Sequence, residues 1–237
     1  MNRLLVALTL LFIMSCSKSD ATIDDARKSL EEQYPNIQIS SVTRIDQDFF
    51  EVKVGEEIYY LTLDLRHLIA GNIIEMSTGN NITENSYKKT RLDYLSQISD
   101  DDVIVYASAN SKHTLTIFSD TSCPYCQKLH NEVDDLLMND VEVRYVLFSR
   151  NGNDDDAYED MVSIWCSKDQ KEALDRAFDN DFVENESCQN PISDNYSLAR
   201  DLKVNGTPMI FMEDGLVIPG YATTDKIMSI LTDNISR

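Results

Sequence analysis

Apolar positions change their spacing several times along this chain. Ile23, Ala26, Leu30 and Tyr34 recur at three to four residues, which predicts an amphipathic helix stopped by Pro35. Strand-like runs follow at 37–45, 49–54 and 58–63, the last two joined through Gly55, Glu56 and Glu57 as a tight hairpin. Residues 73–76 read as a further strand. After a polar break at 80–84, Tyr87, Arg91, Tyr94, Leu95 and Ile98 predict a connecting helix, on which Lys88, Lys89 and Arg91 read as a solvated face. Asp100, Asp101 and Asp102 end it as a charged boundary.

From Val103 strand and helix alternate. Strands are predicted at 103–106 and 115–118, one helix over 123–138, and a strand at 141–148 parallel to the one before it. An acidic loop at 151–156 leads into helical spacing through Met161, Ile164, Trp165, Ala173, Leu174, Ala177 and Phe178, and again through Tyr196, Leu198, Ala199 and Leu202. A hairpin at 209–212 and 216–218 turns on Asp214 and Gly215, and a helix closes the chain at 224–231. The pattern is that of an α+β protein in two parts. A helix plus a small antiparallel sheet occupies 17–80, a linker helix 81–102, and an α/β domain 103–237 with a helical insertion at about 154–203. A core built on roughly 60 residues is marginal alone, and pairing an edge strand with a second copy would stabilise it.

Charge narrows the partners. Among 237 residues, 41 are acidic and 21 basic, a net charge of −20 that repels nucleic acid and anionic lipid. Residues 1–16 read as an export signal: Arg3, an apolar run from Leu4 to Met14 too short to span a bilayer, then Ser15 and Cys16. The ending Ile13-Met14-Ser15-Cys16 resembles a bacterial lipobox, although Met is unusual at its second place. Cys16 is thus a candidate for lipidation, with cleavage to a soluble form as the alternative. Either route delivers the chain to an oxidising compartment, where disulfides are the default.

The chemistry concentrates where strand, turn and helix meet. The β-branched run Leu115-Thr116-Ile117-Phe118 reaches Ser119-Asp120-Thr121-Ser122, and Cys123-Pro124-Tyr125-Cys126 opens the next helix. With Ser122 as N-cap, Cys123 is the first helical residue and Pro124 sits in the first turn, where a missing N–H costs little. The positive helix end then favours the Cys123 thiolate. Cys126, one turn on, can resolve a mixed disulfide formed at Cys123. Half of a zinc site and a pair of buried structural thiols are the competing readings. The zinc site lacks a second Cys-x-x-Cys, and the three histidines are not paired at ligand spacing, so neither metal nor cofactor is called for. Asp120 is either a turn cap or a buried carboxylate tuning the thiol, and His130 reads as an exposed helix residue. With Cys16 assigned to processing, Cys166 and Cys188 remain; a structural bridge closing 22 residues would be worth about 3 kcal/mol, against a second redox couple. Val204-Asn205-Gly206-Thr207-Pro208 precedes the last hairpin, where a proline cannot donate to a ladder.

Cys-Pro-Tyr-Cys at a strand-to-helix turn, with Gly206-Thr207-Pro208 before the last hairpin, resembles the thioredoxin fold. The likeness extends through Phe118-Ser119-Asp120, Lys128-Leu129-His130, Ile164-Trp165-Cys166-Ser167-Lys168-Asp169, Ser187-Cys188 and Val217-Ile218-Pro219-Gly220-Tyr221. The whole mature chain is similar to the DsbC/DsbG family of bacterial periplasmic thiol:disulfide interchange proteins. The second cysteine pair and Gly-Thr-Pro match its DsbC branch, while Pro124-Tyr125 is the interior pair of its DsbG branch. The resemblance implies a cis bond at Thr207-Pro208, a substrate-positioning role for Thr207, Pro208, Pro124 and Tyr125, and catalysis by Cys123 and Cys126. It also implies a cystatin-like N-terminal domain that dimerises the chain, misfolded secreted proteins as substrates, and a DsbD-type membrane reductase as electron donor. The readings in competition are protein-disulfide isomerase, reductase of sulfenylated cysteines, holdase without thiol chemistry, and copper or zinc handling.

Overall fold

The computed structural model describes residues 20–235 apart from Asp154; the export signal and Cys16 lie outside the described residues. Two compact units divide between Asn72 and Ile73.

In the first unit, α1 (Ile23–Gln33) starts from a capping box between Thr22 and Asp25. It lays Ala26 and Leu30 on Val42, Phe50, Val52 and Leu61 of an antiparallel meander. The strands are β1 (Ser41–Ile45), β2 (Phe49–Val54), β3 (Glu57–Thr62) and β4 (Leu68–Ala70), in sheet order β1-β2-β3-β4. Val54 pairs with Glu57, so the β2–β3 loop is only Gly55 and Glu56, with Gly55 at φ +55° as a two-residue hairpin demands. The first strand is shorter than its apolar run. The fourth lies at 68–70 rather than 73–76, where Ile74 makes only a single bridge to Asn81.

The second unit opens with α2 (Ile82–Leu95), capped by Asn81, followed by a single 3₁₀ turn at Asp100–Asp102. Lys88 and Arg91 are not a solvated face. Lys88 Nζ lies 2.6 Å from Asp214 Oδ2, while Arg91 donates to Glu84 Oε1 at 2.6 Å and to the Gly215 carbonyl at 3.2 Å. These contacts fasten the helix to the last hairpin, which periodicity alone does not reveal.

The sheet of this unit contains β5 (Ile104–Tyr106), β6 (His113–Ser119), β7 (Val141–Leu147), β8 (Met209–Met212) and β9 (Val217–Pro219), in order β5-β7-β6-β8-β9. β6 and β7 run parallel and the other pairs antiparallel. Apolar side chains cover both faces, which explains the near-continuous apolar run of β6. Leu115 and Ile117 join the core beneath α3 (Pro124–His130), α4 (Val133–Met138), α5 (Asp156–Cys166), α6 (Gln170–Phe178) and α8 (Thr224–Ile235). Phe118 faces the opposite layer with α7 (Ile192–Asp201), where it meets Phe148 and Phe211 edge-on at 5.9 and 5.4 Å.

The single helix expected over 123–138 is two. Glu132 breaks it by turning its carboxylate to the start of α8, where it accepts from Tyr221 Oη at 2.6 Å, Thr224 N at 3.0 Å and Thr224 Oγ1 at 2.8 Å. Helical spacing in the insertion likewise stops at Ser167–Asp169, where Asp169 caps α6.

Candidate active site

The site forms where two strand ends meet. Antiparallel pairing of Phe118 with Met209 sets the end of β6 beside the start of β8, so the segment before β8 arrives against the turn after β6. That turn is built on Asp120: its carbonyl accepts from Cys123 N at 3.0 Å, and its Oδ1 accepts from Ser122 N at 2.8 Å and Ser122 Oγ at 2.6 Å. Ser122 is therefore spent on Asp120 and does not cap α3. Cys123 is the N-cap (φ −92°, ψ 117°), because the residue before a proline is driven out of the helical region and Pro124 holds the first helical position.

The two thiols are unpaired and differ sharply. Cys123 Sγ donates to the Thr207 carbonyl at 3.3 Å, beside the cis Thr207–Pro208 bond. Burial alone would push its thiol up; the Thr207 side chain, the Cys126 amide and thiol, and the Tyr125 amide together outweigh it and hold the thiol below its ordinary value. Cys126, one helical turn deeper, has burial uppermost and is pushed up to about 12. Two buried hydroxyls, Ser119 Oγ and Thr207 Oγ1, have no protein partner among the described residues, and both bear on the Cys126 sulfur. Cys123 is only 3% exposed, so the sulfur is not an open nucleophile; Pro124 and Tyr125, the latter 63% exposed, form the outer rim. Cys166 and Cys188 are joined by a disulfide with an S–S distance of 2.07 Å, from the end of α5 to the segment before α7. Among the described residues, no group of three or more His, Cys, Asp and Glu could hold a metal ion. No helix among them is long and apolar enough to cross a membrane.

Comparison with known proteins bears directly on this arrangement. A thioredoxin-like domain matches residues 100–235, and the disulfide bond isomerase protein N-terminal domain matches 17–84. The thiol:disulfide interchange protein DsbC of Salmonella typhimurium is 35% identical over 217 residues, covering 91% of this chain and 88% of that protein. This chain belongs to the DsbC family. DsbC of Escherichia coli K12 is 33% identical over 183 residues, 77% of this chain and 76% of its own. Among solved structures, a disulfide interchange protein from Neisseria gonorrhoeae superposes with a TM-score of 0.52 at 29% identity, covering 58% of this chain and 98% of its own. A variant of Proteus mirabilis ScsC shares the fold, with a TM-score of 0.54 at 17% identity over 65% of this chain and 87% of its own.

Within this DsbC-family domain three residues depart from or extend the sequence reading. Asp120 is fully buried, and its second oxygen accepts from Arg150 N at 3.1 Å and Arg150 Nε at 2.9 Å. Burial would raise its pKa, but the bonds from Ser122 and Arg150 prevail and lower it, so Asp120 is an ionised anchor of the turn. Arg150 escaped the sequence reading. The signal was available: parallel neighbours end on the same side, so a residue just past β7 arrives beside one just past β6. His130 is not an exposed helix residue. Its side chain is 11% exposed, with Nδ1 3.0 Å from Tyr145 Oη and Nε2 2.9 Å from Asp175 Oδ1.

Proposed function

We propose that this chain rearranges and reduces non-native disulfides in exported proteins, with Cys123 as nucleophile and Cys126 as resolving thiol. One observation carries the reading: an unpaired Cys123 thiol at the start of α3, favoured as thiolate, faces the Thr207 carbonyl beside Pro208 while a second thiol waits one turn deeper. The Cys123 thiolate attacks one sulfur of a substrate disulfide, forms a mixed disulfide and expels the other sulfur as thiolate. If a substrate thiol then displaces Cys123, the disulfide has moved with no net change in electrons. If Cys126 displaces the substrate, the substrate gains two electrons and Cys123–Cys126 becomes the disulfide. Thr207 and Pro208 align the incoming chain, and Pro124 and Tyr125 contact it at the rim.

Return to the dithiol requires an electron donor, for which a membrane reductase of the DsbD type is the fitting class. The match of 17–84 to a disulfide isomerase N-terminal domain supports a homodimer formed through that part. The export signal and the Cys166–Cys188 bridge support the periplasm as location, with Cys16 as a candidate lipid anchor. Recovery of activity from scrambled ribonuclease tests the reading. Wild type is expected to restore it, Cys123→Ala to abolish the effect, and Cys126→Ala to lose net reduction while retaining part of the rearrangement. Wild-type recovery by Cys123→Ala would leave only a holdase. Pro124-Tyr125 between the thiols favours a second reading, reduction of sulfenylated cysteines; faster turnover on a sulfenylated protein than on scrambled ribonuclease would select it.

A further inference from the structure

Arg150 stands just past β7 and reaches across to the turn that carries Cys123. Its guanidinium spends one edge there: Nε donates to Asp120 Oδ2 at 2.9 Å and Nη2 to Ser122 Oγ at 3.1 Å. Nε and Nη2 form the side edge of the fork, so the end edge, Nη1 with the second Nη2 hydrogen, is left over. Nη1 has no protein partner among the described residues, and the side chain is 38% exposed. Asp120 does not absorb the whole fork. Its buried carboxylate is shared among four donors, N and Oγ of Ser122 and N and Nε of Arg150, which fill its acceptor positions inside the turn. The same turn fixes how near this cation stands to the nucleophile. Ser122 is bonded to Cys123, and Cys123 N donates to the Asp120 carbonyl at 3.0 Å, so both residues that grip the guanidinium belong to the loop ending in the thiol. A substrate sulfur joined to Cys123 therefore lies within a residue or two of an outward guanidinium edge. Lys128, further along α3, is instead turned onto the Tyr221 ring at 4.3 Å. Burial would lower the Arg150 pKa, but the bond and charge of Asp120, then the charges of Cys123 and Cys126, prevail and raise it.

We infer that Arg150 is a specificity-determining residue that binds a carboxylate of the incoming chain beside the disulfide under attack, so that cysteines flanked by Asp or Glu are preferred. The inference rests on Cys123 being the nucleophile. The end edge of a guanidinium donates two parallel N–H···O bonds to the two oxygens of a carboxylate, a match that a single amide carbonyl does not offer. The contact adds nothing to the electron balance of exchange. The Cys123 thiolate still attacks one sulfur, the substrate sulfur–sulfur bond breaks, and the other sulfur leaves with the electron pair; the bound carboxylate holds the chain in register meanwhile. This preference runs against the long-range field of a chain with net charge −20. At 0.15 M salt that field is screened beyond about 8 Å, so the contact at Arg150 decides the outcome.

Two short peptides test this on the full-length dithiol protein, each with a central cysteine activated as a thiopyridyl disulfide and flanked on both sides by Glu in one and Gln in the other. Release of thiopyridone times the attack by Cys123, and each rate is divided by that peptide's rate with mercaptoethanol to remove intrinsic reactivity. At pH 7 and 0.15 M salt, wild type is expected to react roughly threefold to tenfold faster with the Glu peptide, and about 1 M salt should shrink that preference toward unity. Arg150→Lys should keep part of it. Arg150→Gln alone strands the buried Asp120 carboxylate, so the neutral pair Asp120→Asn with Arg150→Gln is the second variant, and it should bring the two peptides to one rate or reverse their order. Equal rates in wild type, or a preference indifferent to salt, would overturn the inference. So would a Glu preference that survives in the neutral pair, since Arg150 would then act on the thiol alone. No thiopyridone from wild type with either peptide would instead sink the assignment of Cys123.

Discussion

Two cysteines of identical chemistry, three residues apart, end at opposite extremes because the donors around them differ. Burial is the largest single influence on both and raises both; at Cys123 the Thr207 side chain and the helix-start amides together outweigh it, while at Cys126 it prevails. Titrating the thiolate absorbance of the reduced protein should show one thiol ionising below the ordinary value of about 8.5 and the other only near pH 12. Cys123→Ala should remove the early step alone. Asp120 makes a second residue-scale prediction. Its folded pKa is depressed, so its stabilisation is present above the unfolded value of about 3.9 and is lost as pH falls through the folded value. Asp120→Asn should cost about 2 kcal/mol at pH 7, trimmed by the partial solvation of Arg150, and flatten the acid limb of the melting curve. His130 has the same sign: burial lowers its pKa, so stability falls as pH drops below about 6.5, and His130→Gln should erase that dependence in thermal melts.

At the scale of elements, side chains remote in sequence decide where helices stop and dock. Glu132 interrupts what period alone reads as one helix and satisfies the free N–H at the start of α8. Glu132→Ala should cost about 1–2 kcal/mol and raise hydrogen exchange in the first turn of α8. Gly215 shows the same logic in the backbone. It sits at φ +82°, and a Cβ there would lie 2.5 Å from the Lys88 carbonyl, so only glycine lets α2 close on the hairpin. Gly215→Ala should destabilise the second unit by about 2–3 kcal/mol in urea, while Lys88→Ala, losing only a partly exposed ion pair, should cost about 1 kcal/mol or less.

On the scale of the whole molecule, the Cys166–Cys188 bridge spans 22 residues of the helical insertion. The double serine variant should lose about 3 kcal/mol of stability by calorimetry yet keep the early thiolate step, since the groups that hold the Cys123 thiol down belong to Thr207, Tyr125 and Cys126. Much of this architecture was legible beforehand. The apolar periods located α1 and the strands packed on it, the parallel β6–β7 pair, the thiol-bearing turn and the closing hairpin, because two- and 3.6-residue spacings are local properties of the chain. Less visible were the break at Glu132, the buried Asp120–Arg150 pair and the burial of His130. Each depends on partners between 15 and 92 residues away.

By itself the sequence determined which thiols lie at a helix start, that a proline follows the first, and which two strands run parallel. These follow from short-range sterics and hydrophobic spacing. Only the tertiary structure decided that Ser122 serves Asp120 rather than α3, that Thr207 closes over Cys123, and that His130 joins Tyr145 to Asp175. Hydrogen-bonding partners and solvent exposure are set by what other segments bring, and a thiol's ionisation is set by both.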